Sequence, residues 1–131
     1  MNKTNNHQEM IDIQSKKFRK ELNAGTSALI LLGLLNKADE PLYGYQISKL
    51  LERQHTDKQG AIYPVLRNMV SKGLLDVEVR PSDSGPPRKY FSISPFGKQV
   101  LSEWTTIWGL TRDFVDHAVS GAPLAKDKND E

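Results

Sequence analysis

The stretch GAIYPVLRNMVSKGLLDVEVRPSDSGPPRKYFSIS, residues 60–94, decides the fold because its hydrophobic pattern changes period halfway along. Apolar residues first recur at spacings of three and four, up to Gly73, which suits the left-handed conformation that ends many helices. Apolar and polar residues then alternate over 75–80, and a second strand-like run at 90–93 follows a turn-rich segment at 81–88. The stretch predicts a helix followed by a β-hairpin. The apolar positions of that helix are Ile62, Leu66, Met69 and Val70.

Helices are predicted on both sides of this stretch. Before it, residues 28–35 form the longest apolar run, ALILLGLL, and residues 43–53 carry apolar side chains at helical spacing. After it, Ser94 can cap a last helix with Pro95 at its first position, and apolar residues then recur for about six turns. The predicted order is therefore three helices, a hairpin and one long helix.

The start of the chain is polar. Residues 1–8 are predicted to be flexible, and apolar residues spaced loosely over 10–22 predict an arm helix. Gly25 is expected to interrupt this helix, because glycine weakens a helix interior. Thr26 or Ser27 then offers a side-chain oxygen to cap the next helix.

This order predicts a mainly α-helical protein with a small β-hairpin, the plan of a winged helix-turn-helix domain with a long C-terminal dimerisation helix. In that plan the third helix enters the major groove of DNA, and the hairpin, or wing, reaches the backbone or minor groove. The predicted regions are a flexible N-terminus (1–8), the winged helix-turn-helix domain with its arm helix (9–94), the dimerisation helix (95–120) and a flexible tail (121–131).

The composition excludes several classes of protein. The 131 residues include no cysteine, so disulfides, thiolate zinc sites and thiol nucleophiles are excluded. The longest apolar run is far short of the roughly 20 residues that a membrane helix needs, and the first residues do not resemble a signal peptide. A cytoplasmic protein without a membrane partner is expected.

The net charge is only +2, but it is unevenly distributed. Residues 41–98 contain nine Lys and Arg against five Asp and Glu, whereas residues 99–131 contain three against six. A basic middle is typical of a protein that faces a polyanion such as DNA. The alternative is an ordinary solvated surface.

Several segments, in this order and spacing, resemble the PadR family of bacterial transcription regulators. The resemblance implies a winged-helix homodimer held by its terminal helices, usually a repressor, often released from its operator by a small molecule. With a single long helix after the wing, the chain is similar to the members of the short subfamily, which contains multidrug sensors. The segments are Tyr43-Gly-Tyr45, Gly60-Ala-Ile-Tyr-Pro64, Lys72-Gly-Leu-Leu75, and Gly85 to Ser94 with Gly97.

The resemblance also implies DNA contacts near Tyr43, Tyr63 and the Arg88-Lys89 pair. For the tyrosines, packing in the core with the hydroxyl at the surface is an open alternative. The remaining candidates are predicted from their place at the third helix, where Arg and Asn side chains can reach phosphates or base edges. The predicted DNA-binding residues are Tyr43, Gln59, Tyr63, Arg67, Asn68, Arg88 and Lys89.

Two tryptophans suggest an effector site on the last helix. The resemblance places Trp108 where multidrug-sensing relatives carry a tryptophan that stacks on flat ligands, and Trp104 lies one turn earlier on the same face. Planar aromatic compounds, cations especially, would suit such a pair. The alternative is that both rings fill a dimer interface. The predicted dimerisation residues are Leu101, Trp104, Ile107, Trp108, Phe114 and Val115.

Two other functions compete with this hypothesis. An enzyme is disfavoured, because His7, His55 and His117 are scattered and neither a metal site nor a cofactor motif is found. A dimeric winged-helix module that binds protein rather than DNA is disfavoured by the basic middle of the chain. The partners we expect are therefore a pseudo-palindromic DNA duplex, a second copy of the chain and a small-molecule effector.

Overall fold

The computed structural model describes residues 3–52 and 62–125. Within these ranges the chain forms four helices and one three-stranded antiparallel sheet. The predicted mainly helical winged-helix fold is confirmed, with one short strand more than the sequence indicated. In chain order the elements are α1 (Lys3–Lys37), β1 (Leu42–Tyr43), α2 (Gly44–Glu52), α3 (Ile62–Ser71), β2 (Leu75–Ser82), β3 (Gly85–Ile93) and α4 (Pro95–Val119).

Helix α1 is one continuous helix of 35 residues. The prediction that Gly25 interrupts it, with Thr26 or Ser27 capping a new helix, is wrong. Both hydroxyls instead donate to carbonyls of the preceding turn, Thr26 to Leu22 at 2.9 Å and Ser27 to the carbonyl four residues earlier. Residues 3–8, predicted to be flexible, also belong to this helix. A glycine inside a helix costs only about 1 kcal/mol relative to alanine, so flanking residues and packing can override it.

The central strand of the sheet is β3, with β1 on one edge and β2 on the other. The register pairs Leu42 with Phe91 and Leu75 with Ile93, so these apolar side chains share the face that covers the core. The turn-rich segment 81–88, predicted as a loop at the tip of the wing, is mostly strand. Only two residues separate β2 from β3.

Two consecutive prolines, Pro86 and Pro87, lie near the start of β3. Strand β1 pairs only with Tyr90 and Phe91. Beside the prolines, the edge of β3 that faces away from β2 therefore has no partner strand in the described part of the chain. Proline lacks an N–H donor and is tolerated at such an edge.

Gly73 ends α3 and turns the chain directly into β2. Its φ of 78° is the left-handed conformation predicted for this position. The N–H of Leu74 donates to the carbonyl of Met69 at 3.0 Å, and that of Gly73 donates to Val70 at 3.0 Å. This pair of bonds is the Schellman arrangement that satisfies the last carbonyls of a helix, and it fixes the wing relative to α3.

Helix α4 begins with the predicted cap. The Ser94 hydroxyl accepts a 2.9 Å hydrogen bond from the N–H of Gly97, and Pro95 follows at the first helical position. The same hydroxyl donates to the carbonyl of Gly73 at 2.6 Å, and the N–H of Ser94 donates to Leu74 at 3.1 Å. Ser94 therefore joins the start of α4 to the end of α3.

The core lies where the second half of α1 meets α2, α3 and the sheet. The apolar run 28–35 was predicted to be central, and it supplies three buried leucines. Burying one large aliphatic side chain stabilises a fold by about 1.5 to 3 kcal/mol. The buried apolar residues are Leu31, Leu32, Leu35, Ile47, Leu66, Met69, Leu74, Leu75 and Phe91.

The first half of α1 and the second half of α4 carry apolar side chains that this core does not cover. On α1 the exposed residues are Met10, Ile11, Ile13, Phe18 and Leu22, and on α4 they are Ile107, Trp108, Leu110, Phe114, Val115 and Val119. Neither of these helices, nor any other in the described ranges, combines the length and apolar character needed to cross a membrane.

Candidate nucleic-acid interface

A groove of about 490 Å³ separates α3 from the wing. The end of β1, the start of α2, the outer side of α3 and the strands β2 and β3 line it. The structure thus brings together residues that are far apart in the sequence. Of the seven predicted DNA-binding residues, this groove is lined by Tyr43, Tyr63, Arg67, Arg88 and Lys89.

Tyr43 lies at the junction between β1 and α2. It pairs with Tyr90 across the sheet, and the two rings meet edge to face at 5.5 Å between centroids. Its N–H donates to Oε1 of Gln46 at 3.0 Å, the return half of a capping box that begins α2. The guanidinium carbon of Arg88 lies 4.5 Å from the centroid of the Tyr43 ring. Local hydrogen bonding and ring packing therefore hold Tyr43 in place.

Tyr63 lies in the first turn of α3 and packs against Gly44. Its side chain is 40% exposed, and Tyr43 is half-buried. Neither ring belongs to the buried core of the domain. Both line the groove, within reach of a ligand that enters it.

Three polar side chains on or after α3 are exposed. Arg67 lies in the groove, one turn after Tyr63, whereas Asn68 and Lys72 are exposed outside its lining. The Asn68 carbonyl accepts the last α-helical bond, from the N–H of Lys72 at 3.1 Å. Gln59 lies outside the described residues, so its predicted role stays a prediction.

Arg80 is a wing cation that the sequence did not single out. The register places it opposite Arg88, and its guanidinium carbon lies 4.6 Å from the centroid of the Tyr90 ring. It donates to the Glu78 carboxylate at 3.0 Å, and this hydrogen bond raises the pKa of Arg80 above its ordinary value. Glu78 compensates the charge of Arg80, whereas Arg88 has no salt bridge among the described residues.

The region from β1 to the end of β3 has a net positive charge. Its described residues, 42–52 and 62–93, include six Lys or Arg against four Asp or Glu. Two of the six are in salt bridges, Lys49 with Glu52 at 3.6 Å and Arg80 with Glu78. The cations without such a partner among the described residues are Arg67, Lys72, Arg88 and Lys89.

A second groove, of about 420 Å³, lies between α1 and α4. Trp104 and Trp108 line one side of it, with Ile107 between them. Trp104 and Leu101 are half-buried and pack against the chain's own core, whereas Trp108 is 39% exposed. The other predicted dimerisation residues, Phe114 and Val115, lie further along α4 and are exposed.

The sequence alone did not indicate the opposite wall of this second groove. It consists of α1 residues on both sides of Gly25, the glycine that was expected to break the helix. Only the helical spacing from Leu22 to Leu29 could have indicated that these residues share a face. The α1 lining residues are Glu21, Leu22, Gly25, Thr26, Ala28 and Leu29.

Residues 31–103, more than half of the chain, match the Transcriptional regulator PadR-like family. A curated relative, an uncharacterized protein of Lysinibacillus sphaericus, is 26% identical over 107 residues, which cover 79% of this chain and 96% of the relative. The matched span contains β1, α2, α3, the wing and the first part of α4. It therefore includes every residue that lines the groove beside α3.

Solved structures show the same similarity. The crystal structure of a PadR family transcriptional regulator from Eggerthella lenta aligns with a TM-score of 0.75 and 30% identity, over 87% of this chain and 99% of that one. A PadR-like transcriptional regulator from Bacillus cereus aligns with a TM-score of 0.65 and 29% identity, over 78% of this chain and 99% of that one. Regulators of this family bind DNA and are not enzymes, which removes the enzymatic alternative. The chain belongs to the PadR-like family of transcriptional regulators.

Proposed function

We propose that this DNA-binding regulator is a homodimeric, cytoplasmic repressor that binds a pseudo-palindromic operator and is released by a small planar aromatic effector. The observation that carries the proposal is the α3–wing groove, where Arg67, Arg88 and Lys89 converge without carboxylate partners among the described residues. Cations in this arrangement suit the phosphates that flank a major groove.

The proposed roles divide between α3 and the wing. Arg67 is exposed on the helix that enters the major groove in winged-helix proteins, and arginine can pair with guanine through two hydrogen bonds. Lys89 and Arg88 lie on β3 and contact phosphates, which fixes the position of the protein without reading sequence. In this proposal α3 supplies the specificity and the wing supplies much of the affinity.

The proposal of a dimer is supported by the apolar residues that α1 and α4 leave exposed. Phe114 is 75% exposed and Val119 is 76% exposed, on a helix that continues well past the core. Contiguous apolar surface of this kind is typical of protein interfaces. A second copy packed on the same face would cover it symmetrically and set two copies of α3 about one helical turn of DNA apart.

The proposal of an effector is supported by the α1–α4 groove. Its walls are mainly apolar, and the exposed Trp108 ring offers a flat, polarisable surface. A planar aromatic molecule could stack there, and a cationic one would gain further attraction from the ring face. Because Ile107 and Trp108 also belong to the exposed apolar surface of α4, an effector in the groove would alter how a second copy packs.

The test of the proposal is DNA binding at two salt concentrations. A duplex covering the region upstream of the protein's own gene is compared with a scrambled duplex of equal length. Saturable preference for the native duplex, weakening steeply with salt, is the expected result for an operator-binding regulator. Equal weak binding to both duplexes, repeated with fragments selected from the genome, would instead favour a winged-helix module that binds a protein partner.

A further inference from the structure

The position of Arg88 is unusual for its place in the strand. Side chains alternate along β3, so Arg88 belongs to the same face as Tyr90, opposite to Lys89 and Phe91. Arg88 nevertheless lines the α3 groove together with Lys89 and Phe91. Arg88 therefore lies where the edge of β3 borders the groove.

The short length of β1 leaves this edge of β3 open. Strand β1 pairs only with Tyr90 and Phe91, so in the described residues no strand covers the edge of β3 beside Arg88. Tyr43, the last residue of β1, stands at the end of that open edge. The guanidinium carbon of Arg88 lies 4.5 Å from the centroid of the Tyr43 ring, and that ring meets the Tyr90 ring edge to face.

We propose that Tyr43 is a positioning residue, whose ring holds the Arg88 guanidinium at the groove where DNA binds. The inference rests on the proposed role of Arg88 as a phosphate contact. It assigns the effect to the aromatic ring of Tyr43 and not to a hydrogen bond from its hydroxyl to DNA.

The chemistry of stacking explains why a ring suits this role. A guanidinium that lies on an aromatic ring uses its face for the contact, while its N–H donors point outward in the plane. Those donors stay available to bind a phosphate through two parallel hydrogen bonds. A carboxylate partner would hold the arginine equally well but would occupy the donors and compensate the charge.

Arg80 shows the alternative within the same sheet. Its guanidinium carbon lies 4.6 Å from the centroid of the Tyr90 ring, so it lies over an aromatic ring as Arg88 does. Its donors, however, bind Glu78 at 3.0 Å, and Arg80 does not line the α3 groove. The two arginines face each other across β2 and β3, and only Arg88 is left both stacked and without a carboxylate among the described residues.

The first experiment is a double-mutant cycle on DNA affinity. The variants are Tyr43→Phe, Tyr43→Leu, Arg88→Ala and the double variant Tyr43→Leu with Arg88→Ala. The probe is a duplex of random sequence, roughly 30 base pairs long so that it spans two half-sites, at low salt. Because a phosphate contact is independent of sequence, the operator need not be known.

We expect Arg88→Ala and Tyr43→Leu each to weaken binding by about tenfold, the effect of losing one charge-assisted contact. The affinity of Tyr43→Phe, which keeps the ring, should lie within about threefold of the wild-type affinity. The double variant should bind no more weakly than Arg88→Ala alone, since both changes remove the same contact. Arg80→Ala, the matched control for a stacked arginine outside the groove, should change affinity by less than about threefold.

Two results would overturn the inference. If Tyr43→Phe binds as weakly as Tyr43→Leu, the hydroxyl itself contacts DNA. If the losses of Tyr43→Leu and Arg88→Ala multiply in the double variant, the two residues act independently. Circular dichroism of each variant checks that the fold, including the short strand β1, is retained.

A second measurement does not need DNA. In the free protein, the Nε–H resonance of Arg88 should be shifted upfield by the ring of Tyr43, in wild type and in Tyr43→Phe but not in Tyr43→Leu. An unshifted resonance in wild type would contradict the contact itself. If wild type fails to bind any duplex at low salt, the proposed function fails, and the resonance still decides whether Tyr43 holds Arg88.

Discussion

Gly44, the first residue of α2, lies directly against the ring of Tyr63 at the start of α3. A Cβ atom at Gly44 would come within 2.5 Å of the Tyr63 ring and hydroxyl. The absence of a side chain at position 44 thus lets α2 and α3 approach each other and gives Tyr63 its place in the groove. Gly44 is buried, whereas Tyr63 is 40% exposed, so the ring is the part that can move.

Gly44→Ala should therefore affect DNA binding more than stability. The added methyl pushes the exposed ring of Tyr63 aside, while alanine suits a helix better than glycine, so the free energy of unfolding should stay within about 1 kcal/mol of wild type. DNA affinity should fall by about tenfold or more if Tyr63 donates a hydrogen bond to phosphate, worth about 1.5 to 3 kcal/mol. Urea unfolding and duplex titration measure the two effects. Unchanged affinity would show that Tyr63 makes no such contact.

Gly97→Ala should affect stability more than DNA binding. A Cβ at Gly97 would overlap the backbone carbonyl of Leu74 and the side chain of Ile93, which cannot move as a surface ring can. Overpacking of this kind costs about 1 to 3 kcal/mol or more. Gly109, on the same helix with no atom within 4 Å of its missing Cβ, is the matched control. Gly109→Ala should stabilise the protein by about 0.5 to 1 kcal/mol. Thermal unfolding at one fixed protein concentration compares them.

Ser94→Ala tests the joint between α3 and α4. The buried hydroxyl accepts from the N–H of Gly97 and donates to the carbonyl of Gly73, and alanine would leave both groups without this partner. We expect a loss of about 1 to 2 kcal/mol in the free energy of unfolding. Ser102→Ala, at an exposed position on the same helix, should change it by less than about 0.5 kcal/mol. Equal effects at both positions would contradict the assigned role of Ser94.

The contacts between consecutive elements explain which parts of the fold were predictable from the sequence. Gly73 and the Ser94-Pro95 pair act through local hydrogen bonds, so their residue types alone indicate where helices end and begin. Strand β1 is only two residues long, and it exists because Tyr43 pairs with Tyr90, far along the chain. The predicted break at Gly25 is wrong because the weak helix preference of glycine is a local property, whereas the continuity of α1 depends on its neighbours and its packing.

The candidate site was predictable to a similar extent. The residue types of Arg67, Arg88 and Lys89 and their places in the winged-helix order pointed to DNA, and the structure brings these three to one groove. The stacking of Arg88 on Tyr43 was not predictable, because it depends on an open strand edge that no local pattern encodes. The same holds for the pairing of Arg80 with Glu78, which distinguishes two arginines of equal chemistry.

Arg67 and Lys89 should differ in what their removal does to DNA binding. Lys89→Ala should weaken binding to all sequences alike and lower the slope of log affinity against log salt by about 0.9, the effect of one lost phosphate contact. Arg67→Ala should reduce the preference for operator over scrambled duplex, by about 1 to 3 kcal/mol if it pairs with a guanine. Titrations at several salt concentrations with both duplexes separate the two. A Lys89→Ala protein with an unchanged slope would remove Lys89 from the interface.

The two tryptophans provide the last prediction, because they differ in burial. Trp104 packs against the core of its own chain, so Trp104→Ala should destabilise the fold by about 2 kcal/mol, less than for a fully buried ring. Trp108 is 39% exposed in the α1–α4 groove, where a planar ligand would stack on it. An effector should therefore be detected through Trp108 and not through Trp104.

Fluorescence of single-tryptophan variants tests this difference. In Trp104→Phe only Trp108 emits, and a planar aromatic cation should quench it in a saturable manner. In Trp108→Leu only Trp104 emits, and affinity for the same cation should fall by about fivefold or more, since this change removes an aromatic contact worth about 0.5 to 1.5 kcal/mol beyond its buried area. The unfolded protein in urea is the control for collisional quenching. Equal saturable quenching in both variants would assign the ligand to the wall that Trp104 and α1 share, and Trp108 would then belong to the dimer face alone.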